Sequence, residues 1–130
     1  MRIKIGLLVF ADRHILLKKR DDYCYEIPQS PLPEDRDGIS IACRILSQCS
    51  GITAKWMDLL PMPGHVFDGV DRNPEFREVF ITYNLYIPAQ LLVGKEYEWV
   101  QISDLSVKKF HLDNAHIIRY SILGGNNVFS

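Results

Sequence analysis

The sequence predicts an α+β fold, a sheet with helices packed on it, from three observations. Short runs alternate apolar and polar residues, two longer runs carry the three-and-four spacing of an amphipathic helix, and turn-forming residues separate them. Arg2–Phe10 and His14–Lys18 read as strands joined by Ala11-Asp12-Arg13. A helix is expected over residues 37–50, with Asp37 as N-cap, Ile39, Ala42 and Leu46 as the core stripe, and Gly51 as a left-handed stop. Residues 53–60 and Glu78–Ile87 read as further strands, the second presenting Val79, Ile81, Tyr83 and Leu85 on one face. Tyr97-Glu98-Trp99-Val100 and Asp104-Leu105 follow, and a closing helix is expected near Asn114–Leu123. Two irregular stretches, Gln29–Gly38 and Pro61–Pro74, are loops of the length at which ligand contact or a lid is expected. Residues 1–123 read as one domain, and 124–130 as a flexible tail in which Val128 and Phe129 need a partner to order.

Composition narrows the function classes. With 130 residues, 47% of them hydrophobic, the chain can bury one core. A formal net charge of −1 offers no field for nonspecific nucleic-acid binding, and the basic runs Lys18-Lys19-Arg20 and Lys108-Lys109 read as solvated surface. Cysteines at 24, 43 and 49 form no pair motif and no even framework, so a cytoplasmic, reducing location is the simpler expectation. Ile3–Phe10 is too short for a membrane span or a secretory signal.

The residues that speak to chemistry are Tyr25-Glu26-Ile27-Pro28-Gln29-Ser30 and Arg44-Ile45-Leu46-Ser47-Gln48-Cys49-Ser50-Gly51-Ile52. Together they resemble the Nudix (MutT-like) box, which reads Gly, five residues, Glu, seven residues, then Arg-Glu-apolar-any-Glu-Glu-any-Gly-apolar, introduced by Trp-any-Leu-Pro-Gly-Gly. Pro28, Arg44, Leu46, Gly51 and Ile52 match the scaffold of that motif, whereas the places of its four glutamates hold Arg36, Ile45, Gln48 and Cys49. The resemblance extends over about residues 2–123. It implies a curved mixed β-sheet sandwiched between α-helices, and the hydrolysis of nucleoside-diphosphate-linked compounds with Mg²⁺ or Mn²⁺.

The substitutions oppose that chemistry. Hard cations need oxygen ligands. Positions 45, 48 and 49 share a helical face, so three glutamates there would converge, but an aliphatic group, an amide and a thiol provide no such set. No metal or cofactor is therefore expected, Mg²⁺ or Mn²⁺ entering only if ligands come from outside the box. Glu75 and Glu78 are the candidates for such a relocated acid, set among Asp68, Asp71, Arg72 and Arg77; Glu34, Asp35, Glu96 and Glu98 are further ones. Arg20, Tyr25, Arg44 and Gln48 are candidate ligand-binding residues: Arg20 for phosphate, Arg44 for an anion or for Glu34, Asp35 or Glu78, and Tyr25 with Tyr23 and Tyr83 as an aromatic wall. His65 and His111 have no ligand spacing and are assigned no chemistry.

Three functional classes remain open. One is a protein that binds a nucleotide or other small phosphate-linked ligand without hydrolysing it. Another is a hydrolase with metal ligands from outside the box. The third is an interaction module in which the face carrying Ile45 and Cys49 packs on another chain, a homodimer included.

Overall fold

The computed structural model describes residues 2–20, 24–51, 60–69, 72 and 75–123. Tyr23, Ile52, Asp71, the expected strand at 53–60 except for Leu60, and the 124–130 tail lie outside them.

Strands β1 (Arg2–Ala11) and β2 (His14–Lys19) form the expected hairpin, with Phe10 opposite Ile15 and Ala11 opposite His14. Its two-residue turn places Asp12 and Arg13 at φ 50 and φ 61, the left-handed pair whose twist matches that of the flanking strands. Strand β3 (Tyr25–Glu26) pairs antiparallel with β2, and β4 (Gln29–Pro31) with the first half of β1, so the start of the expected Gln29–Gly38 loop is a short strand.

Helix α1 (Gly38–Ser50) is capped at both ends as its sequence dictates. The Asp37 carboxylate accepts hydrogen bonds from the Ser40 amide at 2.9 Å and the Ser40 hydroxyl at 2.7 Å, which holds its pKa below the ordinary carboxylate value. At the other end Gly51 takes φ 73 and its amide bonds Ser47 O.

Strand β5 (Met62–Phe67) was not expected, because Pro63-Gly64 reads as a loop signal. Pairing with β6 (Glu78–Tyr86) overrides that signal, and a bulge between Pro63 and Val66 absorbs the mismatch. Thr82 Oγ1 accepts from the His65 amide at 2.8 Å, and its closeness to Gly64 leaves no room for a β-carbon there. Strand β6 runs parallel to β1 over nine residue pairs, which makes the sheet mixed. Strand β7 (Tyr97–Gln101) pairs with β2, a 3-10 turn spans Ile102–Val107, and helix α2 (Asn114–Leu123) closes the chain as expected.

The sheet path β3-β2-β1-β6-β5, with β4 on β1 and β7 on β2, lies between the helices. On one face Ile5, Leu7, Val9, Leu16 and Leu85 pack against Ile41, Ala42, Ile45, Leu46 and Cys49 of α1. On the other, Leu8, Phe10, Ile15, Leu17, Phe80 and Val100 pack against Ile117 and Ile118 of α2. The α1 stripe differs from expectation at one position: Ile39 is only half-buried, since the buried line runs through 41, 42, 45, 46 and 49 and leaves it at the edge. Between the layers Asn114, 2% exposed, accepts from the Ile27 amide and donates to His111 O, each at 2.8 Å, tying the lead-in to α2. No helix among the described residues is long and apolar enough to cross a membrane.

Candidate functional site

The box resemblance directs attention to the C-terminal half of α1. Ile45 and Cys49, expected to form an exposed former metal face, are 2% and 1% exposed and belong to the core. That corrects the interaction-module reading, because these side chains are already covered by β1, β6 and the 91–99 region of their own chain. The three-and-four spacing of 45 and 49 is the same spacing that builds a core stripe, and packing against the sheet decided between the two. Gln48 and Arg44 are exposed and lie four residues apart on one flank of the helix, while Arg36 is exposed in the preceding turn. Exposed Arg44 is open to solvent, so its guanidinium does not require the Glu34, Asp35 or Glu78 partner considered for it.

Facing the end of α1, three strands align polar side chains in one row. Lys18 on β2 is the register partner of Glu26 on β3 and of Tyr97 on β7. Arg20 donates to Glu26 Oε2 at 3.0 Å. From α1, Cys49 meets this row, where Tyr97, Lys18 and Glu96 act on its thiol. Sequence reasoning missed Lys18 and Tyr97; the register across β3, β2 and β7 reveals them. The row offers cations for an anionic group, but its carboxylates are spread among basic partners. Among the described residues no cluster of three or more His, Cys, Asp or Glu side chains is arranged to hold a metal ion.

Burial pushes the Cys49 thiol from its ordinary 9.0 up to about 11, Tyr97 and Lys18 opposing it. Burial, followed by the neighbouring Cys49, pushes the Tyr97 phenol from 10.0 up to about 12. At neutral pH Cys49 is therefore a protonated packing group and not a nucleophile. Both groups bind their protons more tightly in the folded chain, so their contribution to stability is fully present below about pH 9 and is lost as pH rises through about 11 and about 12. Melting temperatures measured from pH 7 to 12 are expected to fall above about pH 9, and Cys49→Ala should flatten the first part of that fall; an unchanged profile in the variant would remove Cys49 as its source.

The other candidates fall elsewhere. Tyr25 packs on the α2 side of the sheet, its hydroxyl donating to Glu98 Oε2 at 2.9 Å and its ring near Phe110. Burial raises its pKa, with Glu98 adding to the shift. Tyr83 packs on the opposite face, its hydroxyl against Gly38, so the two tyrosines do not form one aromatic wall. Glu78 is 2% exposed and lies between Lys4 Nζ at 3.6 Å and Arg72 Nη1 at 3.4 Å. That placement makes it a structural carboxylate rather than an acid open to substrate. Glu75, Glu34, Asp35 and Glu96 are exposed. Asp68 pairs with Arg77 through two contacts of 3.0 Å.

No family model matches the sequence, and no curated protein matches it. Solved structures do. A bifunctional NMN adenylyltransferase/ADP ribose pyrophosphatase from Francisella tularensis, complexed with AMP and a manganese ion, matches with a TM-score of 0.82 at 18% identity over 95% of this chain. This chain spans only 41% of that protein. A mutT/nudix family protein from Listeria innocua matches with a TM-score of 0.79 at 16% identity, covering 98% of this chain and 96% of its own. The NUDIX domain of Shewanella oneidensis NrtR, complexed with ADP ribose, matches with a TM-score of 0.75 at 14% identity, covering 95% and 88%. With TM-scores of 0.75 and 0.79 over most of both chains, the chain has the Nudix fold.

Proposed function

We propose that this chain binds a small phosphate-linked ligand, of the nucleotide or nucleoside-diphosphate class, without metal-dependent hydrolysis. The observation that carries this reading is the burial of Ile45 and Cys49 in the core, at positions where the motif would need metal-binding glutamates. An aliphatic side chain and a protonated thiol supply no hard-cation ligand, and exposed Gln48 alone cannot hold one. Binding is supported by the cationic Lys18 on β2 and Arg20 just beyond its end, by exposed Arg44 and Gln48 on one flank of α1, and by the presence of AMP and ADP ribose in complexes of the Francisella and Shewanella proteins. A cytoplasmic location fits the three free cysteines.

The test is a hydrolysis screen on nucleoside diphosphate derivatives with Mg²⁺ or Mn²⁺, run beside thermal shifts for the same compounds. Phosphate or nucleotide release is expected to stay at the level of a chelator control, while AMP or ADP ribose raises the melting temperature saturably and Arg20→Ala weakens that rise. Metal-dependent turnover that disappears in Glu75→Gln or Glu98→Gln would replace this reading with a hydrolase whose site lies outside the box. The absence of any saturable shift would remove ligand binding.

A further inference from the structure

Lys18 carries a charge that the fold leaves unmatched. Its backbone is fixed from both sides, since it is the register partner of Glu26 on β3 and of Tyr97 on β7, and the next amide, Lys19 N, bonds Glu96 O at 2.8 Å. Alternation along β2 turns Lys18 to the same face as Leu16, which packs against α1. The end of α1 is tied to this place as well: Gly94 N bonds Cys49 O and Tyr97 N bonds Gly94 O, each at 3.0 Å. Lys18 therefore stands beside Cys49, close enough to act on its thiol, and is itself only half-buried.

No acid claims the ammonium. Glu26, directly opposite, accepts from Arg20 at 3.0 Å, and among the described residues Lys18 forms no ion pair. Glu96 is exposed. A cation set against the apolar packing of Leu16 and Cys49 is stabilised by any anion that reaches it. The same charge repels a divalent cation from this spot, and it would draw a carboxylate at position 49 to itself rather than leave it free for a metal. Position 49 is one of those where the motif would need a metal-binding glutamate. The chain thus sets a positive charge of its own next to the place from which a metal's ligand is missing. An ammonium has three donors that rotate freely, which suits phosphate oxygens approached as a point charge.

We propose that the Lys18 ammonium takes over the task of the divalent cation and receives the phosphate oxygens of a nucleoside-diphosphate ligand directly, so that the ligand binds without metal. The inference rests on the phosphate-ligand reading and adds to it a residue and a metal dependence. The test titrates the full chain with ADP ribose by calorimetry, once in EDTA and once in millimolar Mg²⁺. Binding in EDTA is expected to be at least as tight as in Mg²⁺, because the metal competes for the same oxygens. Lys18→Gln, its fold verified by a thermal melt, should bind about tenfold more weakly and lose part of the salt dependence. Lys18→Arg, which keeps the charge, should restore most of the affinity, and Lys19→Gln, exposed on the other face of β2, should leave it unchanged. Adenosine, which has no phosphate, should not distinguish wild type from Lys18→Gln. Saturable binding that needs Mg²⁺, or that survives intact in Lys18→Gln, would overturn the role of Lys18 while leaving a phosphate-ligand site in place. No saturation of the wild type under either condition would remove the phosphate-ligand reading and this inference together.

Discussion

Ile45→Glu is expected to destabilise the folded chain by roughly 3–5 kcal/mol, the range for an uncompensated buried charge. Domains of ordinary stability have only about 5–15 kcal/mol to lose. Ile45 is 2% exposed among Ile5, Leu7, Ile41 and Leu46, none of which can pair with a carboxylate. Cys49→Glu should cost less, because Lys18 and the Tyr97 hydroxyl lie beside that position and can partly satisfy the new group. Gln48→Glu, on the exposed flank, should change stability by no more than about 0.5 kcal/mol. Urea unfolding of the three variants, each in chelator and in manganese, separates two pictures. A buried core position gives a large loss for Ile45→Glu that manganese does not restore. A cryptic metal face gives a stable variant, or one that manganese rescues, and either outcome would mean that α1 does not pack as described.

The comparison of these three positions also shows what the sequence could reveal. Spacing put 45, 48 and 49 on one face of the helix; 45 and 49 do lie together, in the core, whereas Gln48 is exposed on the flank with Arg44, and spacing alone does not say whether a face meets a pocket or the core. The helix ends were legible because their causes are local: Asp37 and Ser40 lie within one turn, and Gly51 bonds back to Ser47. The β1–β2 hairpin was legible for the same reason. Strand β5 was not, since Pro63-Gly64 argues for a loop and the countervailing bond to Thr82 comes from 17 residues along the chain. Likewise the row of Glu26, Lys18 and Tyr97 depends on strand register, and the contacts of Tyr120 on α2 with His65 and Phe67 on β5 join positions about fifty residues apart; neither leaves a pattern in a local window. Glu78 shows the same limit. Its place in an acidic stretch suggested chemistry, whereas its fate was set by Lys4 and Arg72.

Arg72→Ala is expected to be the other strongly destabilising change, by roughly 3–5 kcal/mol, because it leaves buried carboxylate unpaired. The guanidinium donates to Asp113 Oδ2 at 2.7 Å and Asp113 Oδ1 at 3.1 Å, and to the Glu78 carbonyl at 3.1 Å and Glu78 Oε1 at 3.4 Å. It also lies over the Phe80 ring at 5.2 Å, a cation–π contact that engages the charge further. Arg77→Ala provides the internal comparison. That arginine pairs with Asp68 by two bonds of 3.0 Å, yet both side chains are well exposed, at 48% and 39%, and the loss should stay below about 1 kcal/mol. Combining Arg72→Ala with Glu78→Gln should cost less than the sum of the single changes, since the amide no longer needs a counter-charge; a coupling of about 1 kcal/mol or more would measure the pair. Lys4, 3.6 Å from the other Glu78 oxygen, keeps the remaining charge from being wholly alone in Arg72→Ala, so the loss should fall towards the lower end of the range. If Arg72→Ala proves as mild as Arg77→Ala, Glu78 is not held as a structural carboxylate, and its candidacy as a relocated reaction acid returns.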